Sequence, residues 1–240
     1  MPQPDREAVN DFVADARAEA LAAISRGPTQ KTVVRECHAW VETSIPQMGA
    51  DILRKAVEDI HGPSRESVFT FLRYFDYAQW SSDSSALFMS SEQLDRYLPL
   101  HVYWMLTSSG WLFQLSEQPA YVGDRLAVRE LARYVADAVD CVGRLYKSLG
   151  TTGPVRLELS ASGVNGLRVD QSGASCDTDT LVSSSSHTAD EWINQREEFA
   201  KAYMRDLIAQ CSGGPWPEVE IDAGLASEFR HLNARHALVS

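Results

Sequence analysis

The 240-residue chain reads as an α+β protein, a mostly helical N-terminal part packed with a small antiparallel sheet and C-terminal helices. Three observations predict it. Apolar residues recur at helical spacing through much of residues 1–150, most clearly Leu131, Val135, Ala138, Val142, Leu145 and Leu149. After residues 150–154 the spacing changes to alternation, with Val155, Leu157 and Leu159 between Arg156, Glu158 and Ser160. Helical spacing then returns from residue 189. A repeat of about 3.6 residues buries one stripe of a helix and a repeat of two buries one face of a strand, so each change of period marks a change of element.

In chain order, Val9, Phe12, Val13, Ala16, Ala20 and Ile24 form one stripe, closed by Gly27-Pro28. A glycine ends a helix and the following proline cannot continue it. Val33, Val34, Cys37, Trp40 and Val41 predict a second helix up to Pro46, and Ile52, Leu53, Ala56, Val57 and Ile60 a third. Residues 65–80 lean to a helix, although their aromatic residues also suit a strand. Residues 81–85 are a polar loop, and Ser90 with Gln93 has the form of a capping box. Residues 101–106 and 111–115 flank a turn at residues 107–110, as a hairpin or as two helices. A helix of about seven turns follows over residues 124–149, with Asp124 as its N-cap and Gly150 as its stop.

Beyond Pro154, residues 155–160 predict a strand, residues 161–166 a turn and residues 167–169 a returning strand. Residues 171–178 form a polar loop, and Leu181-Val182 a short strand. A helix over residues 189–211, a brief strand at 219–221 and a short helix through Leu225, Phe229 and Leu232 complete the chain. Only about 90 residues follow Gly150, and the strand pair needs a helix over Val155, Leu157 and Leu159. Residues 1–240 are therefore expected to pack as one unit, helix-rich over 1–150 and with the strand pair plus helices over 151–240.

Composition bounds the function. A hydrophobic fraction of 44% and a charged fraction of 23% suit a folded globular chain. The net charge is −11, with 15 basic and 20 acidic side chains in residues 1–150 and 7 and 13 after them. No run of Lys and Arg exists to replace the counterions of a nucleic acid, and the Arg125, Arg129 and Arg133 stripe reads first as a solvated helix face. Cys37, Cys141, Cys176 and Cys211 are scattered without a C-x-x-C pair, which argues against zinc and against a disulfide framework. No metal or cofactor is expected. No apolar run reaches the ~20 residues that span a bilayer, and residues 1–15 lack an apolar signal core. These features predict a cytoplasmic protein with reduced thiols.

The densest polar cluster is His187-Thr-Ala-Asp-Glu191. As a catalytic group it would set an imidazole beside Asp190 and Glu191 for acid/base or metal work. A capping box from Thr188 to Glu191, with His187 packed over Trp192, accounts for the same residues without a substrate. Asp177-Thr-Asp-Thr-Leu181 has the outline of an aspartyl-phosphate motif but lacks the preceding apolar strand. Gly163-Val-Asn-Gly166 is a turn sequence between strands. Cys37 and His38, as neighbours on a helix, would not face one another. No nucleophile elbow, zinc-protease, phosphate-loop or dinucleotide motif is present. The aromatic residues of the middle third chiefly fill a core, with Trp80, Trp104, Trp111 and Phe229 as the candidate partner-binding side chains.

Over residues 130–211 the arrangement of Tyr146-Lys-Ser-Leu-Gly-Thr-Thr-Gly-Pro-Val155, the strands to Val169 and the helix started by Thr188 resembles the region that follows the AlbA-like domain in bacterial Schlafen-type ATP-binding proteins. The AlbA-like domain itself is not visible in the chain, so no binding residue carries over. The resemblance implies an accessory or sensing region in a bacterial stress or defence setting. Acidic charge, surplus aromatics and missing motifs point to a non-enzymatic interaction or regulatory protein in a homo-oligomer or larger complex. The alternatives are a hydrolase using His187, Asp190 and Glu191, and a nucleic-acid-associated protein using the arginine stripe.

Overall fold

A computed structural model describes residues 13–14, 17–18, 32–43, 45–61, 78–80, 86–90, 102–119, 125–169, 173–213 and 217–237. The fold class is α+β, as the change of period predicts. The strands are β1 (Thr32–Val41), β2 (Gln79–Trp80), β3 (Ala86–Ser90), β4 (Val102–Thr107), β5 (Leu112–Pro119), β6 (Arg125–Leu126), β7 (Val155–Ser162), β8 (Arg168–Val169) and β9 (Thr180–His187). The helices are α1 (Ala50–His61), α2 (Val128–Ser148), α3 (Ala189–Asn194), α4 (Arg196–Ile208) and α5 (Glu218–His236). Seven strands form one antiparallel sheet in the order β2-β3-β4-β5-β1-β7-β9, while β6 and β8 form a short parallel pair.

The sheet is larger than the sequence suggests, chiefly because residues 33–41 are a strand and not a helix. β1 lies between β5 and β7, and both of its faces carry buried residues: Val33, Cys37, Ala39 and Val41 on one, Val34, Glu36 and His38 on the other. A strand buried on both sides loses clean alternation, and its apolar positions then fit a helical period by coincidence. The choice left open at residues 101–115 resolves as a hairpin, β4 to β5. Gly110 sits in its turn at φ +73°, where a Cβ would stand 2.7 Å from Ile45 Cδ1, so both the backbone conformation and the space require glycine.

α2 begins at Val128 with Ala127 as its N-cap and no side-chain cap, so Asp124 does not hold that place. Arg125 and Leu126 are strand residues. The C-terminal end matches the expectation at Gly150. Gly150 N–H donates to Lys147 O at 3.0 Å and Thr151 N–H to Tyr146 O at 3.1 Å, with Gly150 at φ +69°. This is a Schellman stop.

Further corrections lie downstream. The strand at Arg168–Val169 pairs with β6 and does not return along β7; β9 is the partner of β7 over eight residues. The helix expected over 189–211 breaks at Gln195 into α3 and α4. Residues 219–221 belong to α5 and are not a strand. Ser90 ends β3, while Gln93, the loop at 81–85 and residues 64–77 fall outside the described residues. Of the helix expected over residues 9–24, positions 13, 14, 17 and 18 are described and are helical.

α2 is the hub of the helical layer, in contact with α1, α3, α4 and α5 and with β7. Leu131, Val135, Ala138, Val142 and Leu145 meet Val155, Leu157, Leu159 and Leu181 of the sheet in one buried cluster, which also includes Ile221, Leu225 and Leu232 of α5. Tyr146 ties the layers together: its hydroxyl lies 2.7 Å from both the Ala39 and the Gly110 carbonyl oxygens, a donor shared between β1 and the β4–β5 turn. Gly143 lets α3 approach, since a Cβ there would stand 3.0 Å from Trp192 Cβ and Ile193 Cγ1. No helix among the described residues is long and apolar enough to cross a membrane.

Candidate functional site

The face of the sheet turned away from α2 is built from alternate residues of β5, β1, β7 and β9, and directly opposed residues share a face. Near one end, Trp111 stacks on Trp40 with ring centroids 4.8 Å apart and planes 12° from parallel. Trp40 opposes Arg156 on β7, and Arg156 opposes Ser186 on β9. The guanidinium carbon of Arg156 lies 5.9 Å from the Trp40 ring centroid, in the range of a cation–π contact. Arg156 Nη2 donates to Ser184 Oγ at 3.0 Å and Nη1 lies 3.6 Å from Glu42 Oε1, while Ser186 Oγ donates to Glu42 Oε2 at 2.7 Å. Trp40 is half-buried, and about 40% of the Arg156 side chain is exposed.

The next two rows are Phe113–His38–Glu158–Ser184 and Leu115–Glu36–Ser160–Val182. Here the face holds a buried carboxylate. Arg17 Nε lies 2.8 Å from each Glu36 oxygen and Nη2 reaches Oε2 at 2.5 Å, while His38 Nε2 is 3.4 Å from Oε2. Burial alone would push the Glu36 carboxyl up; the hydrogen bonds from His38 and Arg17, with the charge of Arg17, outweigh it and hold the group below its ordinary range. The His38 ring packs against Phe113 at 5.0 Å. As a strand residue His38 points away from Cys37, whose thiol is sealed in the core and pushed up by burial. The pair supplies no thiol–imidazole nucleophile.

The residues singled out in the sequence are placed separately. Thr188 Oγ1 accepts from Glu191 N–H at 3.3 Å and Glu191 Oε2 accepts from Thr188 N–H at 2.8 Å, a complete capping box. Those bonds lower the Glu191 carboxyl. Asp190 pairs with Lys147 at 2.9 Å. His187 stacks on Phe199 at 4.0 Å and meets the edge of Trp192 at 5.0 Å, and burial lowers its pKa. Each of the three thus has its own structural partner. Trp104 and Phe229 are core residues, 1% and 2% exposed. Trp80 lies in β2 at an edge of the sheet. Trp111 is the member of that set found on the sheet face described above. Of the arginine stripe, Arg129 is exposed, Arg133 pairs with Glu130 at 3.0 Å and Glu228 at 3.4 Å, and Arg125 belongs to β6.

A second charged cluster, unmarked by any sequence motif, joins three helices. Asp140 of α2 has no exposed side-chain surface and accepts from Arg144 at 3.0 Å, Arg196 at 2.5 Å and His236 at 2.7 Å. Arg196 also donates to Asn233 and lies 5.4 Å from the Phe229 ring centroid. Burial opposes the charge, but the His236 hydrogen bond and the two arginines hold the Asp140 carboxyl at about 2. All its neighbours come from α2, α4 and α5, so the cluster works as a rivet between helices. Among the described residues no group of three or more His, Cys, Asp or Glu side chains is placed to hold a metal ion.

Trp40 and Arg156 are the site residues that the sequence does not reveal. A helix at 33–41 hides the alternation that sets Trp40 on the same face as His38 and Glu36, and Trp111 joins it only through the β1–β5 pairing. The available signal is the strand reading itself, since Trp40 alternates with the core positions Ala39 and Val41. No family model matches the chain, and neither a curated protein nor a solved structure matches it.

Proposed function

We propose that the chain is a non-enzymatic interaction protein that acts within a complex, contacting a protein partner through Trp40, Arg156 and Ser186, with the buried Trp111 stacked against Trp40 as its support. The observation that supports this reading is the stacked Trp40–Trp111 pair with a guanidinium beside it, on the sheet face turned away from α2. Trp, Tyr and Arg are enriched among the few residues that dominate binding energy at protein interfaces, the aromatic ones because they desolvate large areas with few rotatable bonds. A central strand with hydrogen-bonded neighbours on both sides holds Trp40 in place before any partner arrives, which lowers the ordering cost of binding. Glu191 is bound back to the Thr188 backbone and Asp190 pairs with Lys147, which favours a structural role for this cluster over a hydrolase.

The same reading places the protein in the cytoplasm, where unbridged cysteines are the ordinary state. The likeness of residues 130–211 to the segment after an AlbA-like domain supports a bacterial stress or defence setting. Affinity purification of the tagged full chain from its native cells, with mass-spectrometric identification of what is retained, tests the proposal. Trp40→Ala and Ile52→Glu, the latter on the exposed side of α1, are run beside it. A partner kept by the wild type and Ile52→Glu but lost from Trp40→Ala is the expected result. A strict monomer that retains nothing in all three preparations contradicts the proposal.

A further inference from the structure

Two cysteines far apart in the sequence meet where the chain leaves α4. Ser175 N–H donates to Ser212 O at 2.8 Å and Ser212 N–H donates to Ser175 O at 2.7 Å, a reciprocal antiparallel bridge. The position next to a doubly hydrogen-bonded pair is a non-hydrogen-bonded pair, with side chains on one face and Cα atoms about 4.5 Å apart. Cys176 and Cys211 occupy that position. A disulfide requires Cα atoms about 4.4–6.8 Å apart and side chains directed at one another.

Both halves of the pair are fastened. Cys176 N–H donates to Leu167 O at 2.9 Å, and its carbonyl accepts from Gly166 N–H at 2.7 Å. The Asp177 carboxylate accepts the hydroxyls of Ser175, at 3.2 Å, and of Ser212. The two thiols are near enough to shift each other's ionisation, lowering Cys176 and raising Cys211. Cys176 is fully buried and Cys211 is partly exposed, so a small oxidant approaches from the Cys211 side. Cys37 and Cys141, by contrast, are both sealed in the core.

We propose that Cys176 and Cys211 form a redox modification site, at which hydrogen peroxide closes an intramolecular disulfide. The thiolate attacks one peroxide oxygen and breaks the O–O bond, giving a sulfenic acid and hydroxide. The partner thiol then attacks the sulfenyl sulfur and displaces its oxygen. The two thiol protons leave with the two peroxide oxygens as two waters, so two sulfurs are oxidised and one peroxide is reduced. The new bond staples the 173–178 loop to the residues after α4, next to Gln210. The Gln210 amide closes the outer edge of β9, donating to Val182 O at 2.8 Å and accepting from Val182 N–H at 3.1 Å. Oxidation therefore fixes the cap on that edge, and hydrogen exchange at Val182 slows.

The native full chain is treated with hydrogen peroxide, unfolded, alkylated and weighed intact, then mapped without reductant. Alkylation of two of the four cysteines, a peptide joining Cys176 to Cys211, and recovery of all four thiols with dithiothreitol are expected. Cys211→Ser, a change on the exposed side, is expected to give no crosslink and to trap a dimedone-reactive sulfenic acid on Cys176. Alkylation of all four cysteines after treatment, a link between two chains, or continued loss of two thiols in Cys211→Ser would overturn the proposal.

Discussion

The indole of Trp40 lies 4.8 Å from that of Trp111 and 12° from parallel, although Trp40 belongs to β1 and Trp111 immediately precedes β5, far along the chain. Their meeting follows from the antiparallel register of β1 and β5, in which Ala39 opposes Leu112 and His38 opposes Phe113. One residue further along, the two indoles share a face at the sheet end. The stack is thus a product of sheet topology, and its rigidity comes from strands paired on both sides.

The Asp140 rivet makes a prediction about stability. Removing one charge from a buried cluster leaves its partners uncompensated, so Asp140→Asn is expected to cost about 3 kcal/mol in urea unfolding. The folded carboxyl titrates at about 2 against an ordinary 3.8. A lowered carboxylate stabilises the fold above its unfolded value, and that contribution disappears as the pH falls through the folded one. Unfolding measured from pH 5 to pH 2 should therefore show the wild type losing its advantage over Asp140→Asn below about pH 4. A constant difference across that range would show that the carboxylate charge is not what holds the helices.

Tyr203 makes a second prediction. Its hydroxyl donates to Leu157 O at 2.6 Å and accepts from Ser185 N–H at 2.9 Å, standing between opposed residues of β7 and β9. Tyr203→Phe leaves a buried carbonyl and a strand amide without their partner, at a cost of about 1–3 kcal/mol. The Ser185 amide should exchange with solvent faster by a matching factor. Unchanged exchange at Ser185 would mean that the two strands close directly when the hydroxyl is removed.

The contact between α2 and α3 makes a third. Gly143 gives Trp192 room to send its Nε1–H to Val155 O at 3.0 Å. Gly143→Leu is expected to destabilise the protein by about 1–3 kcal/mol through overpacking. The emission of Trp192 should shift to the red as α3 is pushed off the sheet. A stable variant with unchanged emission would show that the crossing has slack.

The parts of the fold legible in the sequence are those where one face is buried and the ends are marked. α2 had a single apolar stripe and a glycine stop, β7 alternated cleanly, and Thr188 with Glu191 announced a helix start. β1 was illegible because both its faces are buried, and β9 because its Ser183-Ser184-Ser185-Ser186 run carries almost no hydrophobic signal. Trp111 was legible as a candidate for its size alone. Trp40, Arg156 and the Cys176–Cys211 pair were not, since their neighbours are set by strand register and by a bridge between loops.

The claim that the Trp40 face binds a protein is tested most directly by titration calorimetry of the recovered partner against wild type, Trp40→Ala and Arg156→Glu. Thermal unfolding confirms first that all three are folded. The affinity is expected to fall at least tenfold, about 1.4 kcal/mol, for each variant. Equal affinity across the three, with the partner still binding, would contradict the assignment of this face.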